Sequence, residues 1–185
     1  LLLTEEAVRE HGTMAKINPP LRSEADRKAL LESIADGTLD ALTTDHAPHT
    51  HDEKAQEMEA APSGHVGLEI SVGLLLGYVA GQKTDSGEIT LERVLQLLTS
   101  RPAELLAGKE IPNGQLSPEA LFDFNPRTIE LSSGRIAEGL AADVTLLDHK
   151  AEWTIDPQSF HSKCANTPFA GWRARGKVLL TVCGG

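Results

Sequence analysis

The residues with the clearest chemical potential lie in one short stretch, Thr43-Thr44-Asp45-His46-Ala47-Pro48-His49. The mostly apolar residues 38–42 before it predict a short buried strand that ends just before Asp45. Pro48 then forces the chain into a loop. A carboxylate with imidazoles one and four residues away can bind a metal through one oxygen and take a proton from bound water with the other. The stretch therefore predicts metal-assisted hydrolysis at the mouth of a parallel strand, where β/α barrels hold their active sites.

The same pattern is also typical of an ordinary solvated turn. A catalytic zinc site needs about three protein ligands, and one Asp with nearby His residues does not supply them. The spacing alone leaves both interpretations open.

The composition is that of a globular domain that does not bind nucleic acid. The chain has 185 residues, of which 40% are hydrophobic and 24% charged, and its net charge is −10. It has no basic cluster of the kind that binds nucleic acid. No apolar run reaches the length of a membrane span, and no signal peptide is visible. Cys164 and Cys183 show no CxxC spacing, which favours a cytoplasmic protein with reduced thiols.

Helix and strand signals alternate in the first part of the chain, which predicts an α/β protein. Helix starts are predicted at Thr4, Ser23, Thr90 and Pro102. The apolar residues 66–79 predict a long helix in spite of their glycines. Residues 50–61 predict a solvated loop, and the later segments 144–148, 153–155 and 177–182 predict three strands.

Three strings in the chain resemble one enzyme family. Thr-Thr-Asp-His-Ala-Pro-His at 43–49 closely resembles the signature near the end of the barrel in dihydroorotases, which belong to the amidohydrolase superfamily. Hydantoinases and allantoinases carry related strings, but the Ala-Pro-His ending is most similar to dihydroorotase. Asn-Pro-Pro-Leu-Arg at 18–22 and Asn-Thr-Pro-Phe-Ala-Gly-Trp at 166–172 also resemble dihydroorotase strings. The chain thus resembles a bacterial class I dihydroorotase over nearly its whole length.

Two further strings resemble this family with differences. Ala-Pro-Ser-Gly at 61–64 is similar to a turn that is usually Ala-Pro-Phe-Gly, so Ser63 stands where Phe is commoner, and His65 replaces an aliphatic residue. Residues 134–143 resemble the superfamily's Gly-x-Ile-x-x-Gly-x-x-Ala-Asp turn.

The resemblance implies the C-terminal part of a (β/α)8 barrel together with strands of a small β-sandwich domain. Residues 1–109 would belong to the barrel, 110–133 would form an irregular linker or insertion, and 134–185 would supply the β-domain strands. The absence of an initial Met and the Gly-Gly ending directly after a predicted strand suggest a piece of a longer protein.

The resemblance also implies an activity, the zinc-dependent reversible cyclisation of N-carbamoyl-L-aspartate to L-dihydroorotate in pyrimidine synthesis. Asp45 would bind the metal and carry the proton. Asn18, His49 and the backbone at Ser63 and Gly64 would bind the substrate. The remaining ligands of the family's one or two zinc ions are not in this sequence, which predicts that this chain alone binds zinc poorly and is inactive.

Two alternatives and the expected partners complete these expectations. The chain could belong to a catalytically inactive dihydroorotase-like scaffold for aspartate transcarbamoylase, or to a related cyclic-amide hydrolase, a hydantoinase or allantoinase. A cytoplasmic homodimer is expected, with aspartate transcarbamoylase as a second partner, and without nucleic acid or membrane contacts.

Overall fold

The computed structural model describes residues 1–106, 134 and 136–184. The helices are α1 Glu6–His11, α2 Glu24–Ala35, α3 His51–Lys54, α4 Ser71–Tyr78, α5 Leu91–Leu98 and α6 Ser100–Leu106, with 3-10 turns at Gly12–Ala15 and Pro157–Ser159. The strands are β1 Lys83–Thr84, β2 Gly87–Glu88, β3 Val144–Thr154 and β4 Arg173–Val182. None of the helices in this described part is long and apolar enough to cross a membrane. The predicted linker at 110–133 lies outside the described residues.

The named strands form two antiparallel ribbons, β1 with β2 and β3 with β4. In the larger ribbon Val144 pairs with Val182 and Thr154 with Arg173, and the register shifts after Leu146 and again between Asp148 and Glu152. The prediction of separate strands at 144–148 and 153–155 is therefore wrong. The two segments form one strand, β3, because the pairing with β4 resumes after the irregularity.

Local capping signals placed two helices correctly. Ser23 and Asp26 form a reciprocal capping box at the start of α2, and Thr90 Oγ1 accepts a hydrogen bond from Arg93 N at the start of α5. Thr4 is not a cap, however, because α1 begins one residue later than expected, with Glu5 at the N-cap position. Helix ends commonly shift by a residue or two.

The predicted helix at 66–79 is shorter than expected, since α4 begins only at Ser71. The residues before α4 are used elsewhere. Val66 N donates to Asn166 O at 2.9 Å, and the chain then turns before Gly67 O accepts from Ser71 N at 3.0 Å. A long-range contact therefore replaces the first turns of the predicted helix.

The predicted buried strand at 38–42 is not a strand in the described chain. The stretch is extended, but its four residues after Thr38 are only half-buried and Thr38 is exposed. Side chains and helices hold it instead. Arg93 donates to Ile34 O at 3.0 Å and to Leu39 O at 2.6 Å, and Leu42 N donates to Leu97 O at 2.9 Å. A strand needs neighbouring strands, and the described residues supply one parallel bridge, His46 with His65.

Two apolar clusters organise the described residues. One joins α2, α4 and α5 through Ile34, Val79, Val94, Leu97 and neighbouring residues. The other joins α4 to the β3–β4 ribbon through Ile70, Leu74, Ile155, Phe169 and Ala174. Gly73 makes the second contact close, because a Cβ atom there would lie 2.7 Å from Trp153 Cζ2 and 3.0 Å from Ala174 Cβ. The glycine that weakens the helix in the sequence thus allows the helix to approach the ribbon.

Candidate functional site

Asp45 ends the extended stretch with an unusual backbone conformation. Its φ is 44°, in the left-handed region that residues other than glycine seldom adopt, and its side chain is exposed. Asp tolerates this conformation better than most residues. Backbone outliers of this kind are concentrated at functional sites. The conformation turns the chain sharply at the residue that the sequence singles out.

A cavity of about 340 Å³ lies beside Asp45. Three of the predicted site residues line it: Asn18, Asp45 and Gly64. The rest of the lining is largely apolar and includes Leu2, Leu42, Leu74 and Phe169. Among the described residues, His49 and Ser63 are not part of the lining. A mostly apolar cavity with a few convergent polar groups is the usual form of a small-molecule site.

His46 ties the Asp45 loop to the turn before α4. Its Nδ1 accepts hydrogen bonds from Gly67 N at 3.1 Å and Leu68 N at 3.3 Å. Its backbone forms a parallel bridge with His65. Because Nδ1 accepts, the proton of the neutral ring is on Nε2. His46 therefore acts as an anchor for the loop, directed toward backbone amides.

His49 contacts the turn that contains two other predicted site residues. Its Nε2 donates to Ser63 O at 3.1 Å, since a carbonyl can only accept. Its Nδ1 lies 3.9 Å from Glu53 Oε2, and its backbone N donates to Asn166 Oδ1 at 2.8 Å. The structure thus brings His49 and Ser63 into direct contact with each other.

Gly64 occupies a place that a larger residue would not fit. Its φ is 126°, and a Cβ atom there would lie 2.5 Å from Ala47 Cβ and 3.0 Å from Ala47 O. Its N–H donates to Lys16 O at 2.9 Å. Both the conformation and the close approach of the two loops require glycine.

Lys54 is a buried neighbour of the predicted site residues that sequence reasoning did not select. It ends α3 within the predicted solvated loop, yet only 1% of its surface is exposed. Its Nζ donates to Pro62 O at 2.9 Å and to Gly64 O at 3.1 Å. Burial lowers the pKa of the ammonium, and the positive charge of Lys16 lowers it further. The Thr50–Glu53 capping box predicts a helix start here, but no local signal predicts the burial.

Asn166 is the second residue that sequence reasoning did not place in the site. It is 5% exposed and belongs to the Asn-Thr-Pro-Phe string at 166–169. Its Nδ2 donates to Gly64 O at 3.1 Å, while its Oδ1 accepts from His49 N at 2.8 Å. One amide side chain therefore links both loops. We call residues 45–49 and 61–66, with the side chains of Lys16, Lys54 and Asn166, the loop cluster.

His65 lines the cavity as a largely buried ring. Burial lowers its pKa, and this outweighs the opposing effect of the hydrogen bond that Nδ1 donates to Val66 O at 3.0 Å. The ring meets Phe169 edge to face, with 5.8 Å between ring centroids. The structure thus places an imidazole with a lowered pKa where the resembling family has an aliphatic residue.

The described residues do not by themselves fit a metal ion. Within residues 1–106, 134 and 136–184, no group of three or more His, Cys, Asp and Glu side chains is placed to hold one. Asp45 supplies one carboxylate, and a stable zinc site takes about three protein ligands.

Curated relatives match the chain from end to end. The dihydroorotase of Bacillus cytotoxicus is 41% identical over 185 residues, which is 100% of this chain and 37% of that protein. The dihydroorotase of Bacillus cereus strain B4264 is 40% identical with the same coverage. The whole chain is thus similar in sequence to one part of each of these two dihydroorotases. It spans about 37% of the length of these relatives. No protein-family model matches the sequence.

Solved structures show that the fold is also that of the hydantoinases. The dihydropyrimidinase of Brevibacillus agri matches with a TM-score of 0.75 at 21% identity, covering 100% of this chain and 36% of that one. The D-hydantoinase of Thermus sp. matches with a TM-score of 0.73 at 22% identity, covering 98% and 35%. At these identities the likeness concerns the fold alone, a mixed helix and strand fold.

The dihydroorotase-like strings meet in three dimensions. The Asp-His-Ala-Pro-His string contacts the Ala-Pro-Ser-Gly turn through His49 and Ser63, and the Asn-Thr-Pro-Phe string contacts both through Asn166. Asn18 of the Asn-Pro-Pro-Leu-Arg string lines the cavity together with Asp45 and Gly64. Segments that resemble dihydroorotase in sequence thus lie next to one another in the structure.

Proposed function

We propose that this chain is the C-terminal part of a dihydroorotase, which reversibly closes N-carbamoyl-L-aspartate to L-dihydroorotate in pyrimidine synthesis. The observation that carries the proposal is the 41% identity to a dihydroorotase over the whole chain. The geometry supports it, because Asn18, Asp45 and Gly64 border one small-molecule cavity.

Asp45 is the proposed proton carrier. In the hydrolytic direction the oxygen of water bonds to the ring carbonyl carbon, and the bond from that carbon to the ring nitrogen breaks. One proton of the water passes through the Asp45 carboxylate to the leaving nitrogen, and the other stays on the new carboxyl group, which loses it at neutral pH. The exposed carboxylate at the cavity suits this role.

Asn18, His49, Ser63 and Gly64 are the proposed substrate-binding residues. The Asn18 amide offers a donor and an acceptor, which suits a ureide or ring amide. The Gly64 N–H and C=O both bind protein groups. The proposed contribution of Gly64 is therefore the space that its missing side chain leaves. His49 donates from Nε2 to Ser63 O, so its proposed contact with substrate involves the turn as well as the ring.

The architecture of the longer protein belongs to the same proposal. Residues 1–109 would be part of an amidohydrolase barrel, 110–133 a linker and 134–185 strands of a small β-domain. Zinc would bind with Asp45 as one ligand and the others outside this chain. The expected setting is a cytoplasmic homodimer, with aspartate transcarbamoylase as a second partner.

Hydantoinase activity is the second candidate, favoured by the TM-scores of 0.73 to 0.75 to a D-hydantoinase and a dihydropyrimidinase. These enzymes and dihydroorotase both act on cyclic amides, so the fold does not separate them. The sequence identity, 41% against 22% or less in these comparisons, favours dihydroorotase.

Substrate turnover by the full protein that contains this chain tests the proposal. We expect hydrolysis of L-dihydroorotate, and we expect Asp45→Asn to lower kcat by about 10²–10⁴-fold, the usual contribution of a general acid–base group. Asp52→Asn is the matched control, because its carboxylate is exposed on α3. Faster hydrolysis of a hydantoin would favour the second candidate. No turnover of any cyclic amide would favour the inactive scaffold.

A further inference from the structure

The Lys54 ammonium is buried against backbone carbonyls. Its Nζ lies 2.9 Å from Pro62 O and 3.1 Å from Gly64 O, and the residue is 1% exposed. The ion pairs found among the described residues do not include it. Burying a charge is costly unless hydrogen bonds compensate for the lost water. The orientation of the two carbonyls is therefore fixed by the position of this ammonium.

These two carbonyls belong to the first and last residues of the proposed substrate-binding turn, Pro62-Ser63-Gly64. The intervening Ser63 carbonyl accepts from His49 Nε2 at 3.1 Å, and Gly64 O also accepts from Asn166 Nδ2 at 3.1 Å. Three successive carbonyls thus have side-chain donors from different segments of the chain. Because each peptide group is planar, fixing its carbonyl also fixes the direction of the adjoining N–H.

We propose that Lys54 is a positioning residue that holds the Pro62-Ser63-Gly64 turn in the shape that receives the substrate. This inference rests on the proposed function. Lys54 does not line the cavity in the described structure, so it acts through the turn.

Two features of Lys54 suit this role, one of its side chain and one of its backbone. Its ammonium carries three donors and no acceptor, so it can serve several carbonyls at once. Its backbone is held as well, since Lys54 O accepts a hydrogen bond from Thr13 Oγ1. The neighbouring Lys16 provides a comparison, because its Nζ binds Met58 O at 2.5 Å and Ala61 O at 2.6 Å, upstream of the turn.

The test compares three Lys→Met variants of the full protein that contains this chain. Methionine keeps an unbranched apolar stem and removes the donors. For Lys54→Met we expect KM for L-dihydroorotate to rise about 10-fold with kcat changed less than about 3-fold, because the turn binds ground state and transition state alike. Lys16→Met should lower the melting temperature about as much as Lys54→Met does, but with a clearly smaller rise in KM. Lys28→Met, on the exposed face of α2, should change neither.

Amide hydrogen exchange gives a readout that does not depend on turnover. The Gly64 N–H donates to Lys16 O, so it should exchange slowly in the unmodified protein. We expect its exchange to become faster in Lys54→Met and to stay unchanged in Lys28→Met. If Gly64 exchanges faster in Lys54→Met but the unmodified protein turns over no substrate, the proposed function is refuted and the role of Lys54 in shaping the turn is retained.

Two results would overturn the inference. One is equal KM values for the Lys54→Met and Lys16→Met variants at equal loss of melting temperature, which would reduce Lys54 to a stability contact. The other is normal turnover and unchanged Gly64 exchange in Lys54→Met.

Discussion

The loop cluster and the contact of α4 with the β3–β4 ribbon are held together in different ways. In the loop cluster, side-chain donors bind backbone carbonyls, as Lys54 and Asn166 both do at Gly64 O. In the helix–ribbon contact, apolar side chains pack closely, and Gly73 allows Trp153 to approach. Hydrogen bonds are directional, whereas apolar packing is not. The first arrangement fixes the orientation of peptide groups, and the second supplies stability.

The difference predicts where function and stability separate. A change in the helix–ribbon contact should lower the free energy of unfolding and leave the turnover of each folded molecule intact. A change in the contacts that hold the Pro62-Ser63-Gly64 turn should affect turnover more than its effect on stability would suggest. The following comparisons, all in the full protein that contains this chain, are ordered by the size of the expected effect.

Matched Gly→Ala changes give the largest contrast. At Gly64 the new Cβ meets Ala47 Cβ at 2.5 Å in a strained conformation, so the two loops must move apart. A displacement of about 1 Å in a catalytic site costs roughly 10²-fold in activity. At Gly73 crowding against Trp153 costs about 1–3 kcal/mol, and better helix propensity returns about 1 kcal/mol. Specific activity per folded molecule should fall for Gly64→Ala alone. An equal fall in both variants would refute the comparison.

Asn166→Ala should affect both properties. The change leaves the His49 N–H without its acceptor and removes one of the two side-chain hydrogen bonds to Gly64 O. Leaving a buried polar group unpaired costs about 1–3 kcal/mol of stability. We expect a higher KM as well. Thr167→Val is the control, because Thr167 is also buried but its Oγ1 accepts only a local bond from Phe169 N at 3.3 Å among the described contacts. Denaturant unfolding and substrate kinetics measure the two effects, and a change in KM in the control would argue against a specific role for Asn166.

Two helix caps offer a smaller comparison. Thr50 Oγ1 accepts from Glu53 N at the start of α3, and Thr90 Oγ1 accepts from Arg93 N at the start of α5. Either Thr→Ala change should cost about 1 kcal/mol of stability. Because α3 carries Lys54, only Thr50→Ala should also raise KM. If KM rises for Thr90→Ala instead, the helices around the first apolar cluster take part in shaping the site.

The smallest expected effect concerns Glu69 and acid pH. Burial raises the pKa of this carboxyl, but hydrogen bonds from the Ser162 hydroxyl and from His161 N and Ser162 N outweigh it, and the net pKa is lowered. A lowered pKa in the folded state means that the stabilisation is present above the ordinary glutamate range and is lost as pH falls through the folded pKa. Glu69→Gln should reduce this loss of stability in acid. Melting temperatures of both proteins at several pH values check this prediction. The same pH dependence in both would show that Glu69 does not contribute to the loss of stability in acid.

The sequence predicted features that depend on neighbouring residues. The caps at Ser23 and Thr90 are local, and the structure has both. Gly64 ends the Ala-Pro-Ser-Gly turn, and its φ of 126° gives the physical reason for a glycine at this position. The functional roles of the five predicted site residues stay predictions; they are Asn18, Asp45, His49, Ser63 and Gly64.

Features that depend on distant partners were not predictable in the same way. Lys54 stands in a polar segment whose composition indicates solvent exposure, and its burial depends on a turn eight residues further on. The strand predicted at 38–42 lacks partners in the described chain, so its apolar pattern alone could not make it a strand. The bend of Asp45 into the left-handed region also has no local sequence signal.

The bond from Asn166 to Gly64 has a consequence for the order of assembly during synthesis. The two residues are 102 positions apart. A ribosome that adds about 5–20 residues per second needs roughly 5–20 s to cover that distance. Throughout this interval Lys54 is already available to the newly made turn and Asn166 is not. Until Asn166 has been made, the nascent polypeptide therefore has only one of the two side-chain donors to Gly64 O, and a ribosome that stalls before position 166 leaves it in that state.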